Sequence, residues 1–348
     1  MKRKFAAIDG RGIISVEEED VPAYGENEML VEVHASLISP GTELGGVKKR
    51  RENPNAAGKP RAFGYQNAGI VLEKGTGCDG YAEGQRVACM GGGYALHATH
   101  AVVPKNLVTP IPDNVSFEEA AFNHLCATAL QAIRRAQLQI GETVGVVGLG
   151  IVGQVACQLA RLSGCRVIGM DLFEMRLELA RKLGAHLTLN PKECDAVKEV
   201  EKFTEGYGLD AAIMAFGGDG TEAFHMLLKM MKTAPDTHKM GRIVIVGGCE
   251  ITTKYASAVG NVDVRSSART GPGYHDEEWE RGKDYPKVFV EWDTRRNLQL
   301  IIRLISEGQL QVKPLITHRF PLSKAAEACE ELIQHPERSL GVILLPRE

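Results

Sequence analysis

This 348-residue chain has no hydrophobic run long enough to cross a bilayer. Its most apolar stretch, residues 144–160, is interrupted by glycines, glutamines and a cysteine. It falls short of the ~20 apolar residues that a membrane helix needs, and it reads as strand, turn and buried helix. The first residues, Met1-Lys-Arg-Lys-Phe-Ala-Ala-Ile, offer only four apolar side chains between the basic residues and Asp9. That is too little for the core of a secretion signal, so a cytoplasmic location is expected. Neither charge sign is in excess: 41 Lys and Arg face 44 Asp and Glu, for a net charge of -3. Nucleic acid and anionic lipid therefore find no electrostatic footprint. No C-x-x-C pair occurs among Cys78, Cys89, Cys126, Cys157, Cys165, Cys194, Cys249 and Cys329, which argues against a disulfide framework or a zinc knuckle. Internal repeats and low-complexity segments are missing as well. What remains is an ordinary globular composition, 44% hydrophobic and 24% charged, in a length that suits about two domains.

From Lys4 to about Pro112, short alternating runs such as Met29-Leu-Val-Glu-Val-His-Ala are separated by Gly, Pro and Asn, the pattern of a β-rich module. Ser116-Phe-Glu-Glu then offers a capping box ahead of an Ala- and Leu-rich helical stretch reaching Gln137. Between Glu142 and Arg265, apolar runs at 144–147, 167–170, 186–189, 211–215, 243–246 and 262–264 alternate with helical patterns. That rhythm predicts an α/β fold with a doubly wound parallel sheet. A helix near 295–307, a strand near 315–320, a helix near 323–334 and a strand at 341–345 complete the chain. The stretch 266–292 has little periodicity but is rich in Gly, Arg, acids and aromatics, so it reads as an ordered functional loop.

The strongest motif is Gly148-Leu-Gly-Ile-Val-Gly153, set after one strand, opening a helix, and followed by a second strand that ends at Asp171. Gly148 permits the tight turn, and Gly150 lets backbone amides approach a pyrophosphate at the helix N-terminus. Gly153 allows helix and strand to pack closely. Asp171 suits the hydroxyls of an adenosine ribose and repels a 2′-phosphate, which favours NAD over NADP.

With this fingerprint, Gly64-Tyr-Gln-Asn-Ala-Gly-Ile-Val, Gly84-Gln-Arg-Val-Ala, Arg181-Lys-Leu-Gly-Ala and Pro314-Leu-Ile-Thr-His-Arg-Phe-Pro-Leu, the chain resembles the medium-chain dehydrogenase/reductase, alcohol dehydrogenase-like family over nearly its whole length. The resemblance implies a GroES-like β-rich catalytic domain from residues 1–124 and 290–348, and a Rossmann NAD-binding domain over 125–289. It also implies that Ile151, Val152, Arg176, Gly247 and Thr128 join the glycines and Asp171 around the cofactor, Thr128 near the nicotinamide. Relatives of this kind form homodimers or homotetramers.

Zinc-containing members of the family carry Cys-Gly-Thr-Asp, then Gly-His-Glu, then a third Cys or Glu ligand. Here the segments read Pro40-Gly-Thr-Glu43, Gly64-Tyr-Gln66 and Asn123-His-Leu-Cys126, so no metal is expected. His97-x-x-His100 reads as two ordinary histidines, because residues three apart on a strand face opposite ways. The Ser39-Pro-Gly-Thr-Glu43 variant, with Gly271-Pro-Gly-Tyr-His-Asp276, resembles a zinc-lacking branch that includes bacteriochlorophyllide-type dehydrogenases and bidomain oxidoreductases thought to act on sugars. The resemblance thus implies an NAD-dependent, zinc-independent oxidoreductase that interconverts a secondary alcohol and a ketone on a polar, sugar- or polyol-like molecule. A quinone- or enoyl-type C=C reductase and a non-catalytic NAD-binding protein are the alternatives.

The candidates to replace the metal are Thr42, Tyr65 and His124. His124 is expected to act as general base, since an unperturbed imidazole titrates near ~6.5, with Tyr65 or Thr42 orienting the substrate hydroxyl. Water or Glu43 could exchange the proton instead, and Glu43 is also counted among the substrate-contacting residues. Substrate selectivity is assigned to Arg269, Tyr274, His275 and Asp276, with Trp279 and Trp292 adding flat apolar faces; an oligomer contact is the alternative for that loop.

Overall fold

The computed structural model describes residues 1–347, which divide into two units, 1–127 with 270–347 and 128–269. The first unit is β-rich. Its larger sheet runs in the order Ile316–Pro321, Gly341–Leu345, Glu28–Leu37, Gln66–Lys74, Arg86–Met90 and Val108–Pro110, with His100–Pro104 also paired to Glu28–Leu37. Gly341–Leu345 lies antiparallel against Glu28–Leu37, and so the two ends of the chain close one sheet. A smaller sheet joins Lys2–Ile8, Ile14–Asp20 and Arg61–Ala62. Ala6, Ile8, Ile38, Val47, Leu322, Cys329 and Val342 pack into one apolar core between the sheets and the helix Ala325–Gln334. The wide helical turn Pro40–Leu44 and the helix Gly45–Glu52 are tied into it through Leu44 and Val47. The capping box forms as read: Glu119 N–H donates to Ser116 Oγ at 3.2 Å, and Ser116 N–H donates to Glu119 Oε2 at 3.1 Å.

The second unit contains the expected parallel sheet. Its order is Leu187–Leu189, Arg166–Met170, Thr143–Val147, Ala211–Met214, Met240–Val246 and Asn261–Ser267. This is the doubly wound Rossmann order, in which the first strand in sequence sits at the centre and the chain turns outward in both directions. Thr143–Val147 is buried along its whole length, as a central strand covered on both faces must be.

One boundary needs correction. Residues 270–289, assigned above to the nucleotide domain, fold with the first unit, and the change of unit falls within the helix Asn123–Ala136 at 127/128. The reason is packing: Asn106, from the first unit, donates to the Trp279 carbonyl at 2.6 Å and to Asp284 at 3.1 Å, while Arg295 bonds both Asn106 and Asp284.

Candidate active site

In the second unit, Gly148 has φ +86, and a side chain there would press at 3.1 Å on Ala215 O and Phe216. Gly150 sits at the cap of the helix Ile151–Leu162 with no side-chain cap, and a Cβ on it would meet nothing within 4 Å. The first-turn amides of that helix therefore border open space, as an anion-binding turn requires. Ile151 is buried and Val152 half-buried behind it. Gly247 (φ +95) is exposed and Thr128 half-buried.

Asp171 is held firmly. Its Oδ2 accepts from Leu149 N–H at 2.6 Å, and its Oδ1 accepts from Leu172 and Phe173 N–H at 2.8 and 3.0 Å. Arg176 lies 3.7 Å from Oδ2 with its guanidinium over the Phe173 ring. The carboxylate thus braces the glycine turn. Gln154, not singled out from the sequence, is wholly buried and donates to Arg176 O at 2.7 Å and Leu149 O at 3.3 Å. Its signal was a glutamine, repeated at Gln158, within a largely apolar helix. These residues fit a bound dinucleotide.

In the first unit, Tyr65 and His124 come together with ring centroids 4.5 Å apart, and Tyr274 meets His124 edge-on at 5.5 Å. His275 stacks on Tyr274 at 4.0 Å, and the Tyr274 hydroxyl accepts from Gly92 N–H at 2.7 Å. Burial, and then the Glu43 charge, push the Tyr65 phenol upward, while the Ser39 and Thr42 side chains pull it the other way. His124 is 6% exposed, and its Nδ1 lies 3.2 Å from Tyr65 O. A carbonyl only accepts, so Nδ1 carries the proton and Nε2 the lone pair.

The expectation that His124 titrates near neutrality is corrected by its surroundings. Burial, with the His275 charge adding to it, lowers its pKa to about 4 against the pull of the Tyr65 carbonyl. A stability effect follows. Between about 6.5 and 4 the unfolded chain binds a proton that the folded one refuses, so stability is intact above this window and lost as pH falls through it. The full loss is roughly 3 kcal/mol. Urea unfolding at pH 7 and pH 5 should show His124→Asn losing clearly less stability than wild type. Equal losses would show that His124 is not held neutral.

His97 and His100 do not act as a pair. His100 is half-buried beside Thr99, while His97 is wholly buried between Ser36 and Glu43. His97 Nδ1 bonds the Ser36 hydroxyl, and Nε2 lies 3.1 Å from Glu43 Oε2, which also accepts from Ser39 N–H at 2.8 Å.

The zinc positions do not fit zinc. Pro40 has no donor atom, and Gln66 uses both ends of its amide on backbone, donating to Leu37 O at 3.2 Å and accepting from Leu125 N–H at 3.3 Å. Cys126 is buried, with its thiol pushed upward by desolvation. Among the described residues no three His, Cys, Asp or Glu side chains are grouped to hold a metal.

The loop assigned to substrate is sorted differently. Trp279 is wholly buried, and Asp276 caps a short helix, accepting from Trp279 N–H at 3.2 Å and from the Tyr285 hydroxyl at 2.6 Å. Trp292 lies under the Arg296 guanidinium, and Arg269 belongs to the second unit. Tyr274 and His275 join the His124 cluster.

A family model described as zinc-binding dehydrogenase matches residues 152–281, a span that contains none of Pro40, Tyr65, Gln66 or His124. An alcohol dehydrogenase of Cupriavidus necator is 27% identical over 391 aligned positions, covering 99% of this chain and 98% of the relative. The sorbitol dehydrogenase of Bacillus subtilis is 25% identical, covering 99% and 97%. Among solved structures, an Escherichia coli oxidoreductase/dehydrogenase of unknown specificity superposes with a TM-score of 0.83 at 19% identity, covering 99% of both chains. It shares the fold, a GroES-like unit with a Rossmann unit.

Proposed function

Because this chain belongs to the medium-chain dehydrogenase/reductase, alcohol dehydrogenase-like family, we propose that it is an NAD-dependent, zinc-independent oxidoreductase that interconverts a secondary alcohol and a ketone on a polar, sugar- or polyol-like substrate. The similarity to alcohol and sorbitol dehydrogenases supports oxidation at CH–OH. The observation that supports the reading is the Tyr65–His124–Tyr274 cluster, which brings hydroxyl and imidazole groups together, Tyr65 and His124 lying in segments that the resemblance matches to ligand-bearing segments of zinc-containing relatives.

When bound, the nicotinamide supplies or accepts a hydride at C4. The amides after Gly150 hold the pyrophosphate and Asp171 the ribose. Tyr65 orients the substrate hydroxyl, and His124 accepts a hydrogen bond through Nε2. A conjugate acid near pKa 4 holds a proton weakly, so in this reading His124 orients more than it stores.

The test is a screen of polyols and sugars with NAD at alkaline pH, following NADH absorbance, with zinc content and chelator sensitivity measured on the same preparation. Activity that disappears with a stoichiometric zinc would overturn the zinc-free reading. Binding titrations should also show NAD at least ~10-fold tighter than NADP, since phosphate repulsion at Asp171 exceeds the ~1.4 kcal/mol that tenfold represents. Asp171→Asn keeps an acceptor for Leu149 and should narrow the gap. An unchanged preference would remove the selectivity role from Asp171.

A further inference from the structure

Gln154 lies wholly buried in the helix Ile151–Leu162, with one end of its amide making two hydrogen bonds and the other making none. Its Nε2 donates to Leu149 O at 3.3 Å and to Arg176 O at 2.7 Å. Both partners are carbonyls, which only accept, so the NH2 group must face them and Oε1 is left without a donor. A buried acceptor without a donor costs free energy, and a methionine of similar size would avoid that cost. What methionine could not supply is the pair of donors.

The first donor acts on the glycine turn. The Gln154 backbone N–H donates to Gly150 O at 2.9 Å, while its side chain donates to Leu149 O. One residue thus holds two consecutive carbonyls from the buried side of the turn. No peptide bond among the described residues is cis, and in a planar trans peptide the C=O and N–H point in opposite directions. With the carbonyls of Leu149 and Gly150 drawn inward, the N–H groups of Gly150 and Ile151 are turned away from the core. They emerge at a residue where an added Cβ would meet nothing within 4 Å.

The second donor reaches the acid at the end of the next strand. Arg176 lies in the first turn of the helix Glu174–Leu183, and its guanidinium is 3.7 Å from Asp171 Oδ2. That same oxygen accepts from Leu149 N–H at 2.6 Å. The contacts close a ring: Leu149 N–H to Asp171, Asp171 to the Arg176 guanidinium, Arg176 O to Gln154, and Gln154 back to Leu149 O. Gln154 is the member that spans from one helix to the other.

We propose that Gln154 is a positioning residue for the dinucleotide, holding the amides that meet the pyrophosphate and the Asp171–Arg176 pair that meets the adenosine ribose in one rigid arrangement. The proposal rests on the dinucleotide reading. Gln154 does not touch the ligand; it acts through the backbone of Leu149, Gly150 and Arg176. Without its donors the turn and the acid are no longer fixed to each other, and binding must order them.

The experiment compares wild type with Gln154→Met, which keeps the size and removes both donors. Titration calorimetry is run with NAD and with ADP, which carries the ribose and pyrophosphate but no nicotinamide. Both should bind about 10–100-fold more weakly to the variant, by a similar factor, because ADP contains every group that the ring positions. On an alcohol that wild type oxidises, the loss should appear in KM for NAD far more than in kcat, with KM for the alcohol unmoved. Thr204→Val controls for stability. Thr204 is buried in the same unit, and its hydroxyl donates to Val200 O at 2.8 Å and accepts from Gly208 N–H at 2.9 Å. That variant should melt lower than wild type yet bind NAD equally well. Wild-type affinity for NAD and ADP in Gln154→Met would overturn the proposal while leaving the dinucleotide reading standing. An equal loss of affinity in Thr204→Val would also overturn it, since the effect would then follow stability alone. A wild type that binds neither NAD nor NADP would remove the reading and the proposal together. If Gln154→Met does not fold, proton–nitrogen NMR of wild type decides: the Gln154 side-chain NH2 signals must be protected from solvent exchange and must shift when ADP is added. Signals insensitive to ADP overturn the proposal.

Discussion

Trp279→Ala should lower the stability of the protein by about 3–5 kcal/mol while leaving NAD affinity intact. The indole is wholly buried, stacks near Tyr285 with centroids 6.1 Å apart, and belongs to the residue whose carbonyl receives Asn106. Gly273, at φ +104, has no Cβ because one would lie 2.4 Å from the indole ring, so backbone and ring are fitted to each other. Truncation leaves a cavity that this backbone cannot fill, and the loss is a large part of an ordinary net stability of about 5–15 kcal/mol. Thermal melting should fall by on the order of 10 °C. The competing expectation, that Trp279 stacks on a substrate ring, requires a raised KM with unchanged melting. That result would return Trp279 to the binding site.

Gly153→Ala should reduce NAD affinity on the order of 100-fold or more, because small displacements of a binding geometry carry costs of that size. The added methyl would sit 1.9 Å from Gly148 O and 2.9 Å from its carbon, both backbone atoms that no rotamer change can move. The helix Ile151–Leu162 must back away from the turn and take its first amides with it. Gly150→Ala is the informative contrast, since its methyl meets nothing within 4 Å and the residue is not in the left-handed region. Gly150→Ala should melt like wild type yet bind NAD poorly, because the open space belongs to the ligand. Titration calorimetry with parallel melting curves separates the two cases. Wild-type NAD binding by Gly150→Ala would mean that the dinucleotide does not approach this backbone closely.

The parallel sheet was legible because its central strands are buried and appear as apolar runs; each of the six runs read from the sequence is a strand, with ends shifted by a few residues. The helix after Ser116 was equally legible, since a capping box is a local arrangement. The boundary at 270 was not, because nothing in 266–292 reveals that Asn106 and Arg295 will clasp it. For the same reason an aromatic-rich loop could be read as a binding surface when its largest ring is core. His97 was set aside as ordinary: the sequence offers His100 as its neighbour, while its real partners are 54 and 61 positions away.

From the sequence alone come the features set by neighbouring residues: the glycines that make a turn, the acid at a strand end, and the proline and glutamine where relatives hold metal ligands. Tertiary structure decided which groups are buried and beside what. Burial lowered His124 to about 4, used both ends of Gln66 on backbone, and left Glu43 with one oxygen unmatched. The physical reason is that a residue type and its spacing along the chain specify local backbone geometry. The solvation and hydrogen-bond partners that set its proton affinity come from segments remote in sequence, and these exist only once the chain has folded.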